Sequence, residues 1–176
     1  MNIVLIGFMG TGKSTIGKLL AKQLDFQFVD VDAGIEQQAG KSITQIFQSE
    51  GEGHFRRLET EFAEKLSAED CQVIATGGGF VLNPQNITVL KSQGFIIALQ
   101  ALPQVIYERI KAEKHRPLLA VSDPLTKISQ LLMERADKYQ DADLIIDTDG
   151  KTPVDIAAEI GVELVKRGFV HGRSQA

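Results

Sequence analysis

The chain has 176 residues, 43% hydrophobic and 24% charged, which fits one domain with a proper core. Its formal net charge of −4 argues against a broad surface for nucleic acid or an anionic membrane, while leaving room for a local basic pocket. Cys71 is the only cysteine, so an intrachain disulfide is excluded. A reducing, cytoplasmic setting is expected, with no targeting segment and no stretch approaching a membrane span.

An apolar run, Ile3 to Ile6, leads straight into Gly7-x-x-x-x-Gly12-Lys13-Ser14. This is a phosphate-binding loop pattern, sitting where a first strand turns into a first helix. Its backbone N–H groups curl into one concavity, and the positive end of the following helix adds to the field. Lys13 can reach the outer phosphates and the Ser14 hydroxyl can ligate Mg²⁺. Ile16, Leu19, Leu20 and Leu24 recur at helical spacing beyond it.

Short β-like runs at 2–6, 27–31, 72–75, 95–99 and 144–147 alternate with helical patterns. The helices fall at 13–24, 33–39, 43–49, 52–67, 85–92, 103–112, 125–140 and 154–167. Ser42 and Asn83-Pro84 read as helix starts, Gly94 and Gly168 as stops. The alternation predicts an α/β fold with a parallel sheet covered on both faces, and ligands bound beyond the carboxyl ends of its strands. One domain over 1–168 is expected, with a poorly ordered tail at 169–176. Residues 111–123 are neither clearly helix nor strand. Their basic tip, around Arg116, suits either a lid closing over phosphates or an ordinary charged loop.

Four strand ends carry chemistry-bearing residues. The first is the phosphate loop. The second ends in Asp30-Val-Asp32, where a carboxylate can hold a metal-bound water and the other face a hydroxyl, or Asp32 can simply cap the next helix. The third runs into Thr76-Gly77-Gly78-Gly79, a sequence that favours close backbone approach to a substrate or a phosphate, or else a tight loop. The fifth ends in Asp147-Thr148-Asp149-Gly150.

On the helix over 52–67, Phe55, Leu58, Phe62 and Leu66 form an apolar stripe, and Arg56 and Glu59 lie side by side on its flank. The pair is either a solvated ion pair or a guanidinium fork aimed at a carboxylate. On the helix over 125–140 the apolar line Leu125, Ile128, Leu132 continues through Arg135 to Tyr139. An arginine on that line either snorkels to the surface or points into a cleft and meets an anion. His54, His115 and His171 show no metal-ligand spacing, and Cys71 is expected as a small buried hydrophobe.

Together GFMGTGKSTIGKLLA, FVDVDAGIEQQAGKSITQIF, EGEGHFRRLE, ATGGGFVL, RPLL and LMERADKY resemble the shikimate kinases over nearly the whole chain. The resemblance implies a nucleoside-monophosphate-kinase-like, three-layer P-loop kinase fold: a five-stranded parallel sheet in order 2-3-1-4-5, flanked by helices, with a lid at about 111–123. It implies Mg-dependent transfer of the ATP γ-phosphate to the 3-hydroxyl of shikimate in aromatic amino-acid (chorismate) biosynthesis. A monomer with no nucleic-acid partner is expected. Carried over by position, Gly10, Thr11, Gly12, Lys13, Ser14 and Thr15 form the ATP loop, with Lys13, Asp32 and Arg116 as the catalytic set. Ser14 ligates Mg²⁺ and Asp30 acts on it through water. Asp32 and the turn Gly77, Gly78, Gly79 meet the substrate, Asp32 and Gly78 at its ring hydroxyls. Arg56 and Arg135 clamp the carboxylate and Glu59 supports Arg56. Arg109 stacks on the adenine, with Lys151 and Pro153 lining the far side of that pocket. Lys151 stands where relatives often carry arginine. The rival readings are another small-metabolite kinase of the same fold, such as a gluconate kinase, and a non-catalytic nucleotide-binding switch. No N-K-x-D guanine-reading motif supports the last.

Overall fold

The computed structural model describes residues 1–112 and 121–169. Five strands form one parallel sheet in the order β2-β3-β1-β4-β5, as the resemblance implies. They are β1 (Asn2–Gly7), β2 (Gln27–Asp30), β3 (Gln72–Ala75), β4 (Gly94–Gln100) and β5 (Leu144–Asp147). Every residue of β1 and β3 is buried, whereas edge strands β2 and β5 stay partly exposed. That is why the inner strands read as unbroken apolar runs.

Among the described residues eight helices flank the sheet: α1 (Lys13–Leu24), α2 (Val31–Ala39), α3 (Ile43–Glu50), α4 (Glu52–Ser67), α5 (Pro84–Lys91), α6 (Pro103–Ile110), α7 (Pro124–Gln140) and α8 (Pro153–Lys166). Successive β1 residues feed opposite layers. Ile3 and Leu5 pack with Ile16 and Leu20 of α1 and Ile156 and Ile160 of α8. Val4 and Ile6 pack with Val31 and Ile35 of α2 and Phe55 and Ala63 of α4. A smaller cluster of Phe8, Ile106, Ile110 and Ile128 joins α6 and α7 to the loop after β1. Asn2, 1% exposed, donates to the carbonyls of Leu66 and Glu69 and accepts from the Gln72 N–H, pinning the end of α4 to the sheet.

Helix starts follow their caps. Ser42 and Gln45 close a capping box on α3, and Asn83 accepts from Gln85 N ahead of Pro84 on α5. Three expectations need correction. Gly94 is not a helix stop: it opens β4, and α5 ends before it at Lys91. Helix α2 starts at Val31 rather than at 33, because Asp30, not Asp32, is its cap and accepts from Ala33 N at 3.2 Å. Cys71 is not buried but exposed, in a left-handed turn (φ 57°) that carries the chain from α4 into β3 at the surface. A 3₁₀ turn, Phe80–Leu82, follows the three glycines and has no periodic signature of its own. Among the described residues no helix is long and apolar enough to cross a membrane. The lid expected at about 111–123 falls largely on residues 113–120, and the tail on 170–176, both outside the described residues.

Candidate active site

All five strands run the same way, so their carboxyl ends share one edge of the sheet, where a cleft of about 500 Å³ opens. Its floor is the loop from Met9 to Thr15. Gly12, at the N-terminus of α1, has φ 96°, a conformation that side chains resist, and supplies no capping oxygen. The first N–H groups of α1 therefore keep their capacity to bind an anion. Lys13 is only 8% exposed, and its ammonium donates to the carbonyls of Gly7 and Phe8 at 2.8 and 2.9 Å. The Thr11 hydroxyl braces the loop from within, donating to Phe8 O at 2.8 Å. Ser14 and Thr15 face the cleft, and the Ser14 hydroxyl donates to Asp30 Oδ2 at 2.7 Å.

Asp32 stands in the first turn of α2, beside Asp30. Burial raises its pKa above the ordinary carboxylate value and Asp30 adds to the rise, against the pull of Lys13 and Arg56. On α4, Arg56 donates to Glu59 at 2.7 Å and to Glu52 at 2.9 Å. Glu59 is 1% exposed; burial raises its pKa and the Arg56 guanidinium counters. The pair is thus an arginine held by a buried carboxylate rather than a solvated surface pair. Glu52, the second partner, lies four residues before Arg56, a helical spacing already visible in the sequence.

The three glycines explain how these groups assemble. Each lacks a Cβ where a different neighbour needs the room. A Cβ on Gly77 would lie 2.6 Å from Asp32 Oδ1, one on Gly78 3.2 Å from Met9 N in the phosphate loop, and one on Gly79 2.8 Å from both terminal nitrogens of Arg56. The carbonyl of Gly78 accepts from Arg135 Nη1 at 3.0 Å, and the Arg135 guanidinium lies 5.4 Å from the centre of the Phe8 ring. Arg135 thus turns inward from α7 rather than snorkelling. The turn touches both arginines, Asp32 and the phosphate loop together.

At the other end of the cleft, Arg109 donates to Gly10 O at 3.3 Å and to the hydroxyl and carbonyl of Thr148 at 2.9 and 2.8 Å. Lys151 and Pro153 also border the cleft, with Lys151 paired to Glu159 at 2.7 Å. Thr148 is fully buried, which the sequence does not signal: it is one of three polar residues at a strand end. Asp147 and Asp149 hold their own loop, Asp149 by accepting from Leu102 N. Arg116 lies outside the described residues.

The family model for shikimate kinase matches residues 9–165. The chain belongs to the shikimate kinase family. A shikimate kinase of Thermodesulfovibrio yellowstonii is 50% identical over 159 residues, 90% of this chain and 92% of the relative. Among solved structures, the Acinetobacter baumannii shikimate kinase in complex with shikimate superposes with TM-score 0.89 at 35% identity, covering 96% of this chain and 95% of that one. A gluconokinase from Sinorhizobium meliloti reaches TM-score 0.63 at 16% identity, a likeness of fold alone. As a member of the shikimate kinase family the chain is an ATP-dependent phosphotransferase, which displaces the non-catalytic switch as a reading.

Proposed function

We propose that this chain transfers the γ-phosphoryl group of ATP to the 3-hydroxyl of shikimate, forming shikimate 3-phosphate for aromatic amino-acid biosynthesis. One observation carries the assignment of the acceptor. Arg56 and Arg135, from two different helices, both contact the same three-glycine turn, and that turn also abuts Asp32 and the phosphate loop. Two guanidinium groups beside a carboxylate suit an acceptor that bears both an acid and hydroxyls. Arginine forks bind a carboxylate bidentately and so fix the orientation of its ring.

Phosphoryl transfer asks the protein mainly to position groups and neutralise charge. In this reading Lys13 and the amides of Gly10 to Thr15 hold the phosphates. Lys13 then exchanges its two carbonyl partners for phosphate oxygens. Asp32 accepts from the attacking hydroxyl and orients it in line. Its raised pKa fits a carboxylate that can also take that proton. Arg116 is assigned to the transferring group by resemblance alone. Arg109 lies against the adenine, opposite Lys151 and Pro153.

The donor set suits Mg²⁺. The Ser14 hydroxyl and Asp30 Oδ2 are adjacent hard oxygens at the phosphate end of the cleft. Among the described residues no group of three or more His, Cys, Asp or Glu side chains could cage a metal. A cation that keeps water and phosphate in its shell fits so sparse a set. Ser14 and, through water, Asp30 would hold Mg²⁺, which would supply neutralisation of the phosphate charge. A cytoplasmic setting belongs to the same proposal.

The test is ADP release from Mg-ATP with shikimate, with gluconate and with no acceptor. Release that depends on shikimate supports the assignment. Release that is equal without acceptor, or that prefers gluconate, removes it.

A further inference from the structure

The three-glycine turn is the hub of the site, yet glycine is the residue least able to hold its own conformation. Something else must fix the turn. Its near end is tied to the sheet: the Thr76 N–H and hydroxyl both donate to Leu5 O at 3.1 Å. Its far end runs into Phe80–Leu82, and there the anchor is a side chain outside the cleft.

Asn86, in the first turn of α5, is 0% exposed. Its Nδ2 donates to the carbonyl of Phe80 at 3.2 Å. A carbonyl can only accept, so this bond dictates which way the amide faces. Its Oδ1 therefore turns to Thr60 of α4, whose hydroxyl lies 2.7 Å away, and to Asn83 Nδ2 at 3.4 Å. Asn83 Nδ2 also donates to the Thr60 hydroxyl at 3.0 Å. That hydroxyl in turn sits 3.2 Å from the backbone carbonyl of Arg56. Arg56 is the residue whose guanidinium fills the gap left by Gly79.

From this geometry we infer that Asn86, acting through Thr60, is a positioning residue for the acceptor: it sets the distance between the glycine turn and Arg56. The network spans the two elements that must keep register if Arg56 and Arg135 are to grip one carboxylate. It touches neither the phosphate loop nor the base pocket. Its loss should fall on the acceptor and spare the nucleotide. A role confined to holding the fold together would lower the fraction of active enzyme and leave both Michaelis constants as they were.

The inference rests on the proposed acceptor, so wild-type enzyme must first show shikimate-dependent ADP release; failure there refutes that reading, not this one. Two variants are then compared with wild type, each checked for folding by thermal unfolding. Asn86→Ala removes the anchor. Thr60→Val keeps the shape of the side chain and removes only the hydroxyl, so it remains informative if Asn86→Ala does not fold. For a lost buried hydrogen bond that leaves its partner unsatisfied, the expected rise in KM for shikimate is about tenfold, with KM for ATP within about twofold of wild type. Thermal stabilisation by shikimate should shrink in both variants, while that by a non-hydrolysable ATP analogue persists. A folded variant at either position with an unchanged KM for shikimate, or with both KM values raised in parallel, overturns the inference.

Discussion

The guanidinium of Arg56 occupies the space that a side chain on Gly79 would need: both terminal nitrogens lie 2.8 Å from the point where its Cβ would sit. Asp32 stands in the same relation to Gly77, with Oδ1 at 2.6 Å. The two glycines therefore guard different functions, and alanine at each should fail differently. In both cases the crowded atom is the tip of a side chain, so the fold can yield while the site cannot. Gly79→Ala is expected to raise KM for shikimate about tenfold by displacing one fork of the clamp. Gly77→Ala is expected to lower kcat on the order of 10²-fold, since small misplacements of a reacting group are costly. Steady-state kinetics on the two variants checks the split; identical defects would mean that the turn merely collapses.

Arg135 offers a cleaner cut between the two substrates. It reaches the site from α7 and donates to Gly78 O, beside the Phe8 ring. Arg135→Ala should weaken shikimate binding by about 2 kcal/mol, toward the low end for truncating one partner of a charge pair because the arginine is only partly buried. ATP affinity should barely move. Calorimetric titration with each ligand measures both, and equal losses would assign the effect to the fold.

Much of this site was legible because it is local. The phosphate loop is contiguous, and the alternation of strands with helices was enough for a parallel sheet. The strand order came with the family resemblance. Arg56 and Glu59, three residues apart on α4, are neighbours on any helix. What stayed hidden depends on where the chain folds back. The sequence offers Asp32 as a possible cap of α2; only the register that pairs Asp30 with Ala75 ends the strand there and gives the cap to Asp30. Nothing in a run of three glycines says which three neighbours they make room for. Nor does the pattern of α4 reveal that Glu59 is buried to 1%. Thr148 and Asn86 are ordinary polar residues until burial and their partners give them a task.

Asp32→Asn tests the attacking hydroxyl. Asparagine keeps the size of the side chain and one acceptor oxygen, but it cannot take a proton. With saturating ATP and shikimate, kcat should fall by about 10²-fold or more, the usual contribution of a positioned base. KM for ATP should hold, because Lys13 and the loop amides are untouched. Unchanged turnover would remove Asp32 from the chemistry.

The same substitution should reveal what the carboxylate costs the fold. Burial is the largest influence on Asp32 and raises its pKa above the value it has in an unfolded chain. Between those two values the native state binds more protons than the unfolded state, so stability falls as pH rises through the window. Above it the penalty is complete. Asp32→Asn removes that charge, so the variant should be more stable than wild type at pH 7. Its advantage should vanish as pH drops below the ordinary carboxylate range. Glu59 is raised by burial in the same direction and the Asp32 charge adds to that rise, so its own slope should soften in the variant without changing sign. Denaturant titrations of the two proteins from neutral to acid pH measure the difference directly. The curves should converge on acidification; a variant less stable than wild type at pH 7 would show that Lys13 and Arg56 outweigh burial at this carboxylate.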